Sequence, residues 1–178
     1  MTPQEVAVPA DQEPTDEERA DRIADLATSQ GLRVAVAESL TAGRISAFLG
    51  RGEAASEWYR GAVVAYDEEV KFEVLGVTRG PVVTAACAQQ MADGVRTLLG
   101  ADVALGITGV GGPGPQEDRP PGTVHLAVST ARGTRELHTR LEGDPSEVVV
   151  AATNLALREL VGELHELACR PPGSPAAG

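Results

Sequence analysis

The sequence contains very few aromatic residues, which restricts how its core can be built. Phe, Trp and Tyr make up 3% of the 178 residues, whereas the hydrophobic fraction of 42% is ordinary for a globular protein. The core must therefore consist mainly of Ala, Val, Leu and Ile, which suits helices packed on a mostly parallel sheet. The low aromatic content could equally reflect the composition of the genome.

Cysteine is also scarce, and neither Cys87 nor Cys169 belongs to a CxxC pair or a zinc-type cluster. Cys87 is expected in the core, on the buried face of a helix with Met91, Val95 and Leu98. The three histidines lack the spacing of metal ligands; they are His125, His138 and His165. We therefore expect no metal site.

The sequence has no long apolar run and no excess of positive charge. No run approaches the roughly 18 residues of a transmembrane helix, and the polar N-terminus does not resemble a signal peptide, so we expect a cytoplasmic protein without membrane contact. Acidic residues outnumber basic ones by 26 to 15, which gives a net charge of -11. Because phosphate backbones repel such a chain, we expect no nucleic-acid partner, although a local basic pocket could bind a small anion.

The length fits one domain with tails. Residues 1–14 are rich in Pro and Glu and predict a disordered N-terminal segment, and residues 170–178 predict a disordered tail. The folded domain is therefore expected at residues 15–169.

Alternating strand and helix signals predict a layered α/β fold. Strands are expected at residues 33–37, 61–66, 103–107 and 123–129, with 136–141 pairing back as an antiparallel hairpin. Helices are expected at 15–30, 41–49, 67–75, 84–99 and 144–168. The late hairpin makes the predicted sheet mixed.

Ser39 lies where the first predicted strand turns into a helix. A serine at such a turn projects its hydroxyl from the carboxyl end of the strand, beside unpaired N–H groups that can bind an oxyanion or a phosphate. Ser39 is therefore a candidate nucleophile. The alternative is a helix cap, and the motif alone favours that alternative.

Lys71 is the only lysine, since the other 14 of the 15 basic residues are arginines. Arginine keeps its proton at any useful pH, whereas a desolvated lysine can act as a neutral base. Lys71 is therefore a candidate base, and the alternative is a surface lysine retained by chance. Tyr66 could relay a proton or orient the serine, although a core or rim tyrosine is the simpler interpretation.

A Gly- and Pro-rich loop at residues 108–115 follows the third predicted strand. Its glycines allow close approach of a ligand to the backbone. It is neither a P-loop nor a dinucleotide-binding fingerprint, because no Gly-Lys-Ser/Thr follows and prolines interrupt it. A plain mobile connection is the alternative. Arg119 closes the loop and could pair with a phosphate.

Four segments in order resemble the CinA C-terminal domain family, the nicotinamide-nucleotide amidohydrolases. Residues 37–43 (AESLTAG) resemble its A-E-S-C-T-G-G element, and residues 61–71 resemble its G-G-v-v-x-Y-s-n-x-x-K element. Residues 107–113 (ITGVGGP) and 119–124 (RPPGTV) resemble its T-G-i-A-G-P and K-P-v-G-T-V elements. The resemblance covers about residues 16–167, and four motifs in order are highly specific.

The resemblance implies a three-layer α/β/α sandwich with a mixed, mostly parallel sheet, and a homodimer. It implies hydrolysis of nicotinamide mononucleotide to nicotinic acid mononucleotide and ammonia, in pyridine nucleotide salvage, with no metal or organic cofactor. By motif, Ser39 is the nucleophile, Lys71 its base and Tyr66 an assisting group, with oxyanion donors among the backbone N–H groups of residues 39–43. The implied substrate contacts are Glu38, Leu40, Thr41, Ala42, Gly43, Thr108, Gly109, Gly111, Gly112 and Arg119.

Several positions depart from the family pattern. Leu40 replaces a Cys, Ala42 replaces a Gly, and Ala85 stands where Glu is common. Val149 and Val150 occupy a stretch that usually carries basic residues, which would be natural phosphate ligands. Two alternatives therefore stay open. One is a weakly active nucleotide-binding or protein-docking module linked to competence or DNA damage, and the other is an amidohydrolase for a different pyridine or nucleotide amide.

Overall fold

The computed structural model describes residues 13–169. The predicted disordered segments lie outside these residues, apart from positions 13 and 14. In chain order the elements are α1 (Asp16–Gln30), β1 (Val34–Glu38), α2 (Arg44–Leu49), α3 (Ala55–Trp58), β2 (Tyr59–Val64), α4 (Glu68–Leu75), α5 (Ala85–Leu99), β3 (Val103–Gly109), β4 (Thr123–Thr130), β5 (Gly133–Arg140) and α6 (Pro145–Cys169).

The five strands in residues 13–169 form one sheet in the order β2-β1-β3-β4-β5. β1 pairs in parallel with both β2 and β3, whereas β4 pairs antiparallel with β3 and with β5. Four strands therefore share one direction and β4 alone opposes them. This confirms the expected α/β fold and its mixed, mostly parallel sheet.

The predicted elements are confirmed to within a few residues at their ends. Thr15 and Glu18 form the expected capping box of α1, and Gly31 ends that helix in the left-handed conformation. Asp67 caps α4, as expected. The short helix α3 was not predicted, and Tyr66 lies beyond the end of β2 instead of inside the strand.

The two faces of the sheet carry side chains of different size. Val36, Leu105 and Ile107 pack on one face in a cluster that includes buried residues of α1, α2 and α6. The other face carries small residues and is covered by α4 and α5. At Gly106, an added Cβ would lie 2.4 Å from the carbonyl oxygen of Ala88, so α5 packs directly against the backbone of β3.

Helix α5 confirms most of its predicted buried face. Cys87, Met91 and Val95 are buried, as expected. Leu98 is 52% exposed, so its predicted burial is wrong. The reason is that Leu98 lines an open groove between α4 and α5, where the last turn of α5 has no further layer to pack against.

Candidate active site

The strand order predicts where a ligand site can form. The connection from β1 leads to β2 on one side, and the connection from β2 returns to β3 on the other side. The carboxyl ends of β1 and β3 therefore lie at a topological switch point, where parallel sheets open a crevice. Glu38, the last residue of β1, is paired with Val64 of β2 and Ile107 of β3, so the segments that follow these three strands meet at one edge.

A cavity of about 740 Å³ occupies that edge. It is bounded by the turn after β1, the first turn of α4, residues 82–83, the glycine-rich loop after β3 and the start of α6. The structure brings together eight of the residues expected in the site; they are Ser39, Leu40, Tyr66, Lys71, Thr108, Gly109, Gly111 and Gly112.

Ser39 is held at the cavity by its backbone. Its N–H donates to the carbonyl of Ile107 at 3.1 Å, and its carbonyl accepts from the N–H of Ala42 at 3.1 Å. The residue is 8% exposed and lines the cavity. The N-cap of α2 is Gly43, not Ser39, so the alternative interpretation of Ser39 as a helix cap is wrong.

Glu38 has a structural role in place of the expected contact with substrate. Its side chain is fully buried, because alternation along β1 directs it to the face of the sheet opposite to Ala37. Its carboxylate accepts hydrogen bonds from the N–H groups of Gly43, Ile45 and Ser46 at 3.0, 3.1 and 2.8 Å. Glu38 therefore binds the N-terminus of α2 and fixes the turn that carries Ser39.

Replacing Glu38 with Ala is expected to lower the free energy of unfolding by about 3 kcal/mol, because one buried and two partly buried N–H groups lose their acceptor. The free energy of unfolding of Glu38→Gln is expected to lie between those of Glu38→Ala and the wild type, since the Gln amide offers a single accepting oxygen. Chemical denaturation measures both variants. Equal stability of Glu38→Ala and wild type would contradict this assignment.

The turn after β1 offers fewer oxyanion donors than the sequence predicts. The N–H groups of Ser39, Ala42 and Gly43 are already bonded inside the protein. Within residues 13–169, those of Leu40 and Thr41 have no acceptor. Thr41, Ala42 and Gly43 do not line the cavity. Ala42 has a φ of 50°, so it occupies the left-handed conformation that the family's glycine would adopt at lower cost.

Lys71 is 2% exposed and reaches the cavity from α4. Its Nζ donates to the carbonyls of Ala65 and Tyr66 at 2.6 and 3.4 Å, and no carboxylate of the described residues forms an ion pair with it. A neutral amine has two N–H groups, so these carbonyls leave its lone pair free. An ammonium group would bury a charge with no carboxylate in ion-pair contact among the described residues, and only the more distant charges of Asp67, Glu68 and Glu117 would oppose that cost.

Burial lowers the pKa of Lys71 below its ordinary value of 10.5, and nearby Cys87, Asp67, Glu68 and Glu117 oppose part of that shift. Burial also raises the pKa of the Cys87 thiol to about 11, so the thiol stays neutral beside the amine. The surroundings therefore favour a lysine that can accept a proton.

Tyr66 lies at the mouth of the cavity and is 71% exposed. Its side chain does not belong to the core, so of the two structural interpretations the rim position is correct. The carbonyl of the same residue accepts from Lys71, and Asp67 caps the helix that carries the lysine. The segment from β2 to α4 thus orients the amine through its backbone.

The glycine-rich loop forms the opposite wall. The hydroxyl of Thr108 donates to the carbonyl of Val82 at 2.8 Å and ties the start of the loop to the segment before α5. In the described part of the chain, the N–H groups of Gly111, Gly112 and Gly114 have no acceptor. These groups are available to an anionic or carbonyl oxygen of a ligand.

Arg119 does not line the cavity, in contrast to the expected contact with substrate. Its charge instead acts on His125: burial first, then the charges of His138 and Arg119, lower the pKa of that imidazole. The rings of His125 and His138 stack with their centroids 4.3 Å apart.

Between residues 13 and 169, no three side chains of His, Cys, Asp or Glu are grouped in a way that could hold a metal ion.

Among the described helices, none is both long and apolar enough to cross a membrane.

Comparison with known proteins gives a consistent family assignment. The family model of the CinA C-terminal domain matches residues 16–164. A CinA-like protein of Frankia casuarinae is 40% identical over 146 residues, which are 77% of this chain and 34% of that protein. A putative competence-damage inducible protein of Shouchella clausii is 39% identical over 142 residues, which are 76% of this chain and 34% of that protein. The chain spans about a third of the length of these curated relatives.

Solved structures show the same fold. The crystal structure of a competence-damaged protein (CinA) superfamily protein from Klebsiella pneumoniae superposes with a TM-score of 0.82 and 33% identity. The superposition covers 86% of this chain and 99% of that one.

Proposed function

Since this chain belongs to the CinA C-terminal domain family, we propose that it is an amidase that hydrolyses nicotinamide mononucleotide with Ser39 as nucleophile and Lys71 as base. One observation carries the proposal. The only lysine of the chain is buried without an ion pair among the described residues, and it lines the same cavity as a serine at the carboxyl end of β1. A neutral amine and a hydroxyl that open into one cavity are the two groups that a Ser–Lys mechanism needs.

Acylation begins when the Ser39 hydroxyl attacks the carboxamide carbon and its proton passes to the Lys71 amine. The free N–H group of Leu40, which lines the cavity, is the proposed donor to the tetrahedral oxyanion. When the C–N bond breaks, the Lys71 ammonium returns its proton to the leaving nitrogen, and ammonia departs. An ester between Ser39 and the nicotinoyl group remains.

Deacylation uses the same groups in reverse. Lys71 takes a proton from water, and the oxygen of that water attacks the ester carbon. Ser39 leaves with the proton that Lys71 holds, and the carboxylic acid that forms loses its proton to solvent and is released as the carboxylate. Tyr66, at the mouth of the cavity, is proposed to assist by packing against the bound pyridine ring.

The phosphate of the substrate is proposed to bind the free N–H groups of the glycine-rich loop, since no arginine lines the cavity. The lack of an arginine in the cavity wall favours a second candidate, an amidase whose amide substrate carries no phosphate. Asp67 and Glu68 line the cavity, and Val149 stands there in place of a basic residue. Two carboxylates and an apolar side chain are poor surroundings for a phosphate dianion.

The test is release of ammonia by the full chain from nicotinamide mononucleotide, nicotinamide riboside and nicotinamide. A clear preference for the mononucleotide supports the first candidate, and equal rates with the riboside support the second. Tight binding of the mononucleotide in calorimetry without turnover would overturn both and leave a binding module. The homodimer and the cytoplasmic location stay predictions.

A further inference from the structure

Glu117 lies in the turn at residues 116–119, which forms a tip beyond the glycine-rich loop, and its side chain reaches back to the segment before α5. Both of its carboxylate oxygens accept from the N–H of Val82, at 2.9 and 3.0 Å, and one of them also accepts from the N–H of Val83 at 2.8 Å. These bonds join residues that are 34 and 35 positions apart in the chain. The loop is thus fixed by one side chain at its far end.

The backbone of the tip is shaped to present this carboxylate. Glu117 and Asp118 have φ angles of 50° and 58°, in the left-handed region that non-glycine residues rarely adopt. Gln116 and Arg119 close the turn with reciprocal backbone hydrogen bonds of 3.1 and 2.8 Å. Charge-assisted hydrogen bonds from the N–H groups of Val82 and Val83 to the Glu117 carboxylate offset the cost of this conformation.

The residues that Glu117 joins belong to the wall of the cavity. Val82 and Val83 line it from one side, and Gln116 lines it from the loop. The carbonyl of Val82 also accepts from the hydroxyl of Thr108. Residues 82–83 are therefore bonded to Thr108 at the start of the loop and to Glu117 beyond its end. The carboxylate of Glu117 lies close enough to Lys71 and Cys87 for its charge to act on both.

We propose that Glu117 is a positioning residue, whose carboxylate clamps the glycine-rich loop onto Val82 and Val83 and completes the cavity wall beside Lys71. The structural part of this inference is independent of the reaction, and its effect on turnover rests on the proposed function. The clamp keeps the loop N–H groups in place for the substrate. Its charge is one of three carboxylate charges that act on Lys71, together with Asp67, which caps α4, and Glu68 in the first turn of α4; the neutral Cys87 thiol of α5 also faces the amine.

The test compares Glu117→Gln with Asp118→Asn, which removes the same charge from the neighbouring exposed residue of the same turn. Because the chain has a single lysine, labelled lysine gives one side-chain signal in NMR. We expect Glu117→Gln to lower the pKa of Lys71 further, since a negative charge that favours the ammonium is lost. The KM for the amide substrate is expected to rise roughly 2- to 10-fold, as for loss of one hydrogen bond.

Asp118→Asn is expected to change neither the pKa of Lys71 nor the KM for the amide substrate. A lysine titration that is the same in Glu117→Gln and wild type, or an equal shift in Asp118→Asn, would overturn the inference. Slow amide hydrogen exchange at Val82 and Val83 in the wild type is also expected, and fast exchange of both would overturn the clamp even if a variant failed to fold. If the wild type releases no ammonia, the proposed function fails, while the lysine titration and the amide exchange still decide the role of Glu117.

Discussion

Replacing Lys71 with Arg is expected to abolish amide hydrolysis, with kcat/KM lowered roughly 10³-fold. The arginine keeps a positive charge but does not release its proton at any pH at which the protein is folded, so Ser39 loses its base. Lys71→Met is expected to be equally inactive, although it buries no charge and keeps a side chain of similar length. Ammonia release from nicotinamide mononucleotide, with thermal unfolding of each variant, measures the effect.

A matched control is Arg79→Lys, which makes the reverse exchange in an exposed side chain that pairs with Glu69 and Glu73. This variant is expected to keep wild-type activity. If Lys71→Met folds normally and retains more than about a tenth of the wild-type kcat/KM, Lys71 is not the base.

The same assignment fixes the direction of the pH dependence. Only the neutral amine can accept the serine proton, so kcat/KM is expected to rise with pH as Lys71 loses its proton. Because burial lowers the pKa of Lys71 below 10.5, the rise is expected at a lower pH than for an exposed lysine. Activity is lost as the pH falls through that pKa, because the ammonium form has no free lone pair.

Replacing Ser39 with Ala is the second variant with a large expected effect, a loss of kcat of at least roughly 10³-fold. The alanine lacks the oxygen that attacks the amide. The fold is expected to be kept, because Ser39 is held through its backbone N–H and carbonyl, which alanine also provides. The affinity for nicotinamide mononucleotide, measured by calorimetry, is expected to change by less than about 10-fold.

The control for Ser39→Ala is Ser29→Ala, which removes a serine hydroxyl that bonds to its own helix and does not line the cavity. Its turnover is expected to match that of the wild type. Should Ser39→Ala release ammonia at a rate near that of Ser29→Ala, the attacking oxygen would have to come from another group, and the covalent route would be wrong.

The sequence predicted the parts of the site that depend on local signals. Ser39 follows an apolar run that could only be a buried strand, and Lys71 stands out because every other basic residue is an arginine. The parallel strands then bring both residues to one edge of the sheet. Their presence at one cavity is therefore a consequence of strand order, whereas the alternating strand and helix signals predicted only the α/β class and a mixed sheet.

Glu38 shows where motif reasoning failed although a local signal was available. It precedes Ser39 in the segment that resembles the family's A-E-S-C-T-G-G element, and that resemblance implies a contact with substrate. Successive side chains of a strand point to opposite faces, which separates Glu38 from Ala37 and directs its carboxylate to α2. The period of two along β1 was sufficient to predict this, whereas the three bonds to α2 needed the tertiary structure.

Arg119 and Glu117 could not be placed from the sequence for a different reason. Both lie in a turn formed by two non-glycine residues with positive φ, a conformation that the residue types at these positions do not predict. The direction of each side chain depends on that turn. Glu117 then finds its partners 34 and 35 residues away, which no local pattern encodes.

The most direct test of the proton-accepting role of Lys71 is an NMR titration of the full wild-type chain with isotope-labelled lysine. A single side-chain signal reports Lys71 alone, because the chain has no other lysine. A pKa clearly below 10.5, with the neutral amine populated in the pH range where ammonia is released, is the expected result. A pKa at or above that of a free lysine would show a stable ammonium group and would contradict its role as the base.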